Sequence, residues 1–436
     1  MLTRLVPFFL FLLPFQFAIT LGVGIDLPFG RILALGLVLW WLGGALASRT
    51  LYLPSLFVTG SVFSFLLVAS ASFLWAADES LALRKIAFLL NFFPLFFVFY
   101  DLRRSETISL RWEKALVLGG GVIAAGSLIL FSAQFIFGLE PVLSWLRSIL
   151  PFILGQNLGK NVLEYPSLLV NIGGETWLRA TGFFPDPHVA SFYFGIVWFI
   201  AVALFLQTKK YFWLFISGVL FIADLLTFSR GGYLGLLVGG ATFLILGWEN
   251  FTNNLKRGIG WSLFVIFLLG SILGQSVFSR FYSSFTLADA SSTDRIALWQ
   301  EAGRHILERP LLGTGLGNYI VEARPILDPR APFYAHNLYL DITVELGLLG
   351  LLFFLIPIGI GYSYGLKSVR MMSRNSYIRL GVISALTLYL THSLFETALF
   401  SVHILPIYLL MISAAVRLEH HAGVIKESKN LPSLKS

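Results

Sequence analysis

Along the chain, apolar residues gather in runs of roughly 17 to 25, the length an α-helix needs to cross a bilayer core of about 30 Å. Short polar turns part the runs, and twelve spans are predicted, over residues 5–21, 32–48, 52–74, 81–100, 115–137, 188–207, 211–228, 232–248, 259–275, 338–364, 378–398 and 402–417. The fold class this implies is all-α and polytopic, a single integral membrane domain over residues 1–436. The first run has no small-residue cleavage site and another run follows closely, so it reads as a span rather than a signal peptide.

Two stretches break the rhythm, residues 138–187 and 276–337, and with twelve spans both lie on the side opposite the termini. Of the 31 lysines and arginines, 18 fall on the terminal side, with only 6 of the 23 acids. That asymmetry makes the terminal side cytoplasmic and the two long loops external. The larger loop, 276–337, contains an amphipathic helix predicted over Thr293 to Glu308, with Ser292 or Thr293 as its cap and Pro310 beyond its end. Its inward stripe is Ile296, Trp299, Gly303 and Ile306.

Composition narrows the function. The chain is 57% hydrophobic and 12% charged, whereas a soluble domain carries about a quarter charged residues, so an ordinary water-soluble enzyme is excluded. The absence of cysteine removes disulfides, thiolate metal sites and cysteine nucleophiles. The net charge of +8 is read through topology, with no nucleic acid as partner. Neither His-Glu-x-x-His nor Gly-x-Ser-x-Gly occurs, so zinc proteolysis and an ordinary serine hydrolase have no support.

The remaining polar residues cluster at the external ends of the spans. In Leu226-Thr-Phe-Ser-Arg-Gly-Gly-Tyr233, a four-residue turn between two apolar helices, Arg230 either snorkels to headgroups or binds phosphate oxygens through its planar fork. Gly231 and Gly232 beside it allow close approach of backbone or ligand. Ser291-Ser-Thr-Asp-Arg295 heads the loop helix, where free N–H groups favour an anion and Arg295 would strengthen the site; alternatively Arg295 pairs with Asp294 or Glu301. Pro310-Leu-Leu-Gly-Thr-Gly-Leu-Gly-Asn318 does not lie between a strand and a helix, so it is not read as a nucleotide loop. In the segment from Tyr334 to Gly350, Asn337, Asp341 and Glu345 form one polar stripe that must face a cavity or protein, and His336 ahead of them is the best-placed general base. The stripe also suits a helix N-terminus, and His336 could be a satisfied structural histidine. His392 and Glu396, one turn apart near the outer end of span eleven, fit a hydrogen-bonded pair better than a metal site, since two ligands do not hold a metal.

Taken in order, Arg179-x-x-Gly182 with Pro185-Asp-Pro-His188, Ser229-Arg-Gly-Gly232, Asp294-Arg295 with Trp299, Pro310 with Gly313-Thr-Gly315, and His336-Asn337 with Glu345-x-Gly-x-x-Gly350 resemble the O-antigen ligase and polymerase superfamily of bacterial membrane glycosyltransferases. The resemblance covers residues 180–360. His188 departs from it, standing where the family commonly shows Asn, and is given no role. The resemblance implies an enzyme of the bacterial inner membrane, its active site facing the periplasm or exterior. Such an enzyme moves a glycan from a polyprenyl diphosphate carrier to a hydroxyl of an acceptor glycolipid, such as a lipid A core, or of a growing glycan, without metal, nucleotide or other cofactor. Arg230 and Arg295 would neutralise the departing diphosphate and His336 would activate the acceptor hydroxyl. Arg179, Asn337, Asp341 and Glu345 are the expected substrate-binding residues. Polymerisation of repeat units is the alternative within the superfamily. A secondary transporter is the alternative outside it, but it would carry its polar residues at mid-membrane in repeated halves.

Overall fold

The computed structural model describes residues 2–22, 25–103, 110–164, 166–172, 174–258, 260, 290–325, 333–370 and 376–416. Among them the architecture is a bundle of apolar helices, and the chain is an all-α polytopic membrane protein. Seven helices are long and apolar enough to cross a membrane. Six of these regions contain α2 (Phe29–Ser48), α3 (Leu56–Ala71, continued by a tight turn to Trp75), α4 (Glu79–Phe92) with α5 (Leu95–Leu102), α6 (Arg111–Phe137), α9 (Pro187–Thr208) and α11 (Arg230–Gly247). The seventh is α14 (Leu338–Arg370), and the shorter apolar helices α10 (Tyr211–Leu225) and α16 (Ile404–Val416) join them, with α15 (Ser376–His392) also in the bundle. Pro94, which lacks an N–H, separates α4 from α5 within the predicted fourth span.

At the centre lies α9, apolar on every face and almost wholly buried, packed on α6, α10 and α15. A helix without a polar face has no side to offer water and ends up surrounded by other helices. Facing the lipid instead are residues such as Leu46, Leu56, Ile129 and Ile245, all largely exposed. Several charged and polar side chains inside the bundle are paired, which offsets the cost of burying them. The Ser191 hydroxyl donates to Asp224 at 2.5 Å, joining α9 to α10. Trp41 Nε1 donates to Asp101 at 2.8 Å, Arg103 pairs with Glu113, and Lys85 Nζ lies 2.7 Å from Glu345 Oε1.

The described residues depart from the expected pattern in three places. The run over 5–21 is not one helix: α1 (Leu2–Leu12) stops short of Pro14, and β1 (Ala18–Gly22) pairs antiparallel with β2 (Ile25–Pro28). An 11-residue helix covers about 16 Å, roughly half of the hydrocarbon core. The predicted span 259–275 lies outside the described residues. The stretch 138–187 is ordered into α7 (Leu139–Leu154), α8 (Gln156–Glu164) and the hairpin of β3 (Leu169–Ile172) with β4 (Glu175–Leu178). Gln134 at the end of α6 anchors this hairpin through both the N–H and the C=O of Leu178, at 2.8 and 3.0 Å.

The third difference is the break in α14 at Gly347, where φ is 67° and ψ −174°. A segment of the long loop fills the break. Thr314 N–H donates to Val344 C=O at 2.8 Å and Gly315 N–H to Glu345 C=O at 3.0 Å, while Leu348 N–H donates to Pro310 C=O at 2.8 Å. The backbone groups freed by the break are thus satisfied by the loop, which is what an apolar surrounding demands. A Cβ on Gly347 would sit 2.1 Å from Leu311 O, and one on Gly313 2.5 Å from Val344 O. Farther on, Leu316 N–H donates to Ser72 Oγ and Asn318 takes both the N–H and the C=O of Asp78. The glycine-rich segment therefore clasps the turn between α3 and α4 to the broken helix.

Candidate active site

Four chain segments meet at one end of the bundle, and local sequence sets each one. Asp186 caps α9, its carboxylate accepting the N–H groups of His188 and Val189 at 2.7 and 2.9 Å, with Pro187 in the first helical turn. The cap aims His188 at the four-residue turn between α10 and α11, where Nδ1 lies 3.0 Å from Ser229 Oγ. Ser229 caps α11 by accepting Gly232 N–H, and its hydroxyl is also 3.3 Å from His392 Nε2. His392, fully buried, stacks on Phe192 with ring centroids 3.7 Å apart. The two glycines after Arg230 are explained here: a Cβ on Gly231 would meet His392 at 2.6 Å and one on Gly232 would meet Ser191 Oγ at 1.9 Å. Close approach at this turn is by protein side chains from α15 and α9.

His336 stands just before α14 with φ of 50°, a left-handed conformation that few non-glycine residues adopt. Its Nδ1 lies 2.9 and 3.1 Å from the two oxygens of Glu396. Glu396 is not one turn along a helix from His392 as expected from the sequence. The helix ends at His392, the chain turns through Leu394 and Phe395, and Glu396 comes round to face His336 on one side and His188 Nε2, at 3.8 Å, on the other. Burial pushes the Glu396 carboxyl up, but His188, His336 and Arg295 outweigh it and hold the group down at about 2. Burial likewise works against the imidazolium of His336, yet the hydrogen bond and charge of Glu396 leave it raised above its ordinary value. With Nδ1–H donated to Glu396, Nε2 carries the basic lone pair. The side chain is 40% exposed.

The arginines arrive from three directions. Arg295 belongs to α12 (Ala290–Glu308) and feels both Glu396 and Arg230; Arg179, just past β4, feels Arg230, Tyr233 and Asp186. Burial draws the guanidinium groups of Arg295 and Arg179 below their ordinary value, which still leaves an arginine charged. The predicted pairing of Arg295 with Glu301 does not occur, because Glu301 holds Arg324 through both oxygens. The helix also starts earlier than Thr293, placing Ser292 and Thr293 inside it rather than at its cap. Trp299, one turn beyond Arg295, donates its Nε1–H to Ala335 C=O at 2.9 Å and fixes α12 against the residue preceding His336.

The stripe expected on α14 faces protein. Asn337 caps the helix, its Oδ1 accepting the N–H groups of Tyr339 and Leu340 at 3.0 and 3.1 Å. Asp341 accepts Ala335 N–H at 2.7 Å and the Thr397 hydroxyl. Glu345 is ion-paired with Lys85. So His336 and Arg295 stand against Glu396, Arg230 adjoins Arg295 and Arg179 adjoins Arg230, while Asn337, Asp341 and Glu345 have internal partners. Glu396, His188 and the Ser229 hydroxyl are the site groups that sequence reasoning left without a role. The one signal for Glu396 was an acid in an otherwise apolar stretch, where each charge needs a reason.

Residues 214–355 match the O-antigen ligase family model. The O-antigen ligase match contains Arg230, Arg295, His336, Asn337, Asp341 and Glu345, together with the loop that fills the helix break; Arg179, His188 and Glu396 lie outside it. A protein of Rickettsia conorii (strain ATCC VR-613 / Malish 7), provisionally named a polysaccharide ligase, is 28% identical over 163 residues, 34% of this chain and 37% of that protein. A counterpart from Rickettsia prowazekii (strain Madrid E), named in the same way, is 29% identical over 142 residues, 29% of this chain and 33% of its own. The match thus spans about a third of the length of these relatives, and what it supports is a function of the ligase or polymerase type.

Proposed function

We propose that the protein is a membrane glycosyltransferase that ligates a glycan, taken from a polyprenyl diphosphate carrier, to a hydroxyl of an acceptor glycolipid such as a lipid A core. The observation that carries this reading is the juxtaposition of a carboxylate-held imidazole with three arginines at one end of a membrane bundle. His336 Nε2 takes the acceptor hydroxyl proton, the oxygen attacks the anomeric carbon, and the bond from that carbon to the diphosphate breaks. Glu396 stabilises the imidazolium that forms, and inversion follows from attack opposite the leaving group. Arg230, Arg295 and Arg179 bear the charge of the departing diphosphate, work otherwise given to a divalent ion. The base asymmetry of the loops supports a site at the outer face of a bacterial inner membrane. Ligation is preferred to polymerisation of repeat units because both the family description and the relatives' names are those of ligases.

The arginine reading is tested with Arg230→Ala and Arg295→Ala at matched membrane expression. Loss of one charge-assisted contact of about 1.5 to 3 kcal/mol slows transfer roughly ten- to a hundredfold, and lysine, lacking the fork, restores only part. Normal turnover in both alanine variants ends the assignment of these residues to the diphosphate.

A further inference from the structure

The two groups that make up the base, His336 and Glu396, lie 60 residues apart and both stand outside regular helix. His336 is in a left-handed conformation, which a non-glycine residue keeps only where the surroundings impose it. Glu396 sits in the irregular stretch between α15 and α16. Something must hold two such segments in register to within hydrogen-bond tolerance. Asp341, buried and one turn into α14, is bonded to both. One oxygen accepts Ala335 N–H at 2.7 Å, the residue before His336, and the other accepts the hydroxyl of Thr397, the residue after Glu396. The Ala335 peptide unit is held from its other side by Trp299, and Leu338 N–H donates to Ser393 C=O at 2.9 Å, so the junction is braced on α12 and α15 as well.

We infer that Asp341 is a positioning residue, a carboxylate clamp that sets the distance between His336 and Glu396 by gripping their sequence neighbours. This rests on the reading of His336 as the base. Both of its oxygens already hold the segments that carry the base. The clamp acts through geometry, so an amide serves nearly as well: Asn keeps an acceptor for Ala335 N–H and offers an N–H to the Thr397 oxygen. The charged groups facing His336 are Glu396, Arg295 and Asp341 itself; those facing Glu396 are His336, His188 and Arg295; those facing Asp341 are Glu345 and Lys85.

The test compares Asp341→Asn, Asp341→Ala and Thr397→Val in the full chain in nanodiscs. Single-turnover transfer from a lipid-linked glycan is followed against pH, and the His336 imidazole is titrated separately by NMR on histidine-labelled protein without substrate. Asp341→Asn should stay within about tenfold of the wild-type rate, while Asp341→Ala and Thr397→Val should fall about ten- to a hundredfold with donor binding intact. In the latter two the His336 titration should move to lower pH as the imidazole loses its grip on Glu396. If Asp341→Ala does not fold, Thr397→Val, which removes one arm and leaves the carboxylate, carries the test. An Asn variant as inactive as Ala, with the His336 titration unmoved in both, overturns the clamp and makes Asp341 a substrate-touching residue. If His336→Ala transfers at the wild-type rate, the base reading fails by itself, and the substrate-free titration still reports on the clamp.

Discussion

At the scale of single residues, the arrangement of His336, Glu396 and His188 is what separates this site from a surface cluster of charges. Glu396 lies between two imidazoles, and the one it hydrogen-bonds most closely, that of His336, belongs to a part-exposed side chain. A base must be deprotonated to act, so the raised value of His336 means that wild-type transfer falls as pH drops through a point above the ordinary imidazole value of about 6.5. Replacing Glu396 by Gln removes the term that favours the imidazolium, burial then prevails, and the low-pH limb should move below that value. The rate above the limb should also fall about ten- to a hundredfold, because an orienting charge-assisted hydrogen bond is lost. A pH profile of single-turnover transfer checks both statements, and an unchanged limb in Glu396→Gln would detach the carboxylate from the base. His403 is a suitable comparison: it is buried, held by Leu13 C=O, and lowered by that burial to about 4.

At the scale of elements, the break in α14 and the glycine loop that fills it form one unit. The loop motif had no clear reading as sequence, since positive-φ glycines at 313, 315 and 317 gain meaning only beside the carbonyls of a helix interrupted elsewhere in the chain. Gly347→Ala should destabilise the protein by about 3 kcal/mol or more, combining a backbone conformation reserved for glycine with a clash against Leu311 O. Gly359→Ala, in the same helix with open space around it, should be neutral or stabilising by up to about 1 kcal/mol. Thermal unfolding in detergent distinguishes them. The turn holding Ser229-Arg-Gly-Gly232 was readable as sequence because two apolar runs bracket it. The end of α15 was not: the apolar pattern continues past His392, and only the tertiary contact of Glu396 with His336 reveals that the helix has already stopped. The strand over 18–22 was hidden likewise, because a short apolar run has no periodicity that tells helix from strand.

At the scale of the whole molecule, the length of the apolar runs laid out most of the described membrane helices, since an all-apolar 20-residue run has few other fates in an α-helical chain. The side each loop occupies follows from charge. A chain without cysteine accepts single probes without background, so Lys210→Cys and Arg304→Cys, both at exposed positions, can be compared on intact cells. A membrane-impermeant thiol reagent should label position 304, once the outer membrane is permeabilised if there is one, and spare position 210. The reverse pattern would turn the site toward the cytoplasm, away from a lipid-linked donor presented at the outer face.

The central claim, that an imidazole held by Glu396 activates the acceptor hydroxyl, is met most directly by His336→Ala in nanodiscs, with donor binding and single-turnover transfer measured on the same preparation. Removing a general base costs about 10² to 10⁴ in rate. The expected result is a protein that folds, binds lipid-linked glycan as the wild type does, and transfers it at least about a hundredfold more slowly. Transfer at the wild-type rate by that variant, or lost donor binding with the chemical step unchanged, would contradict the account.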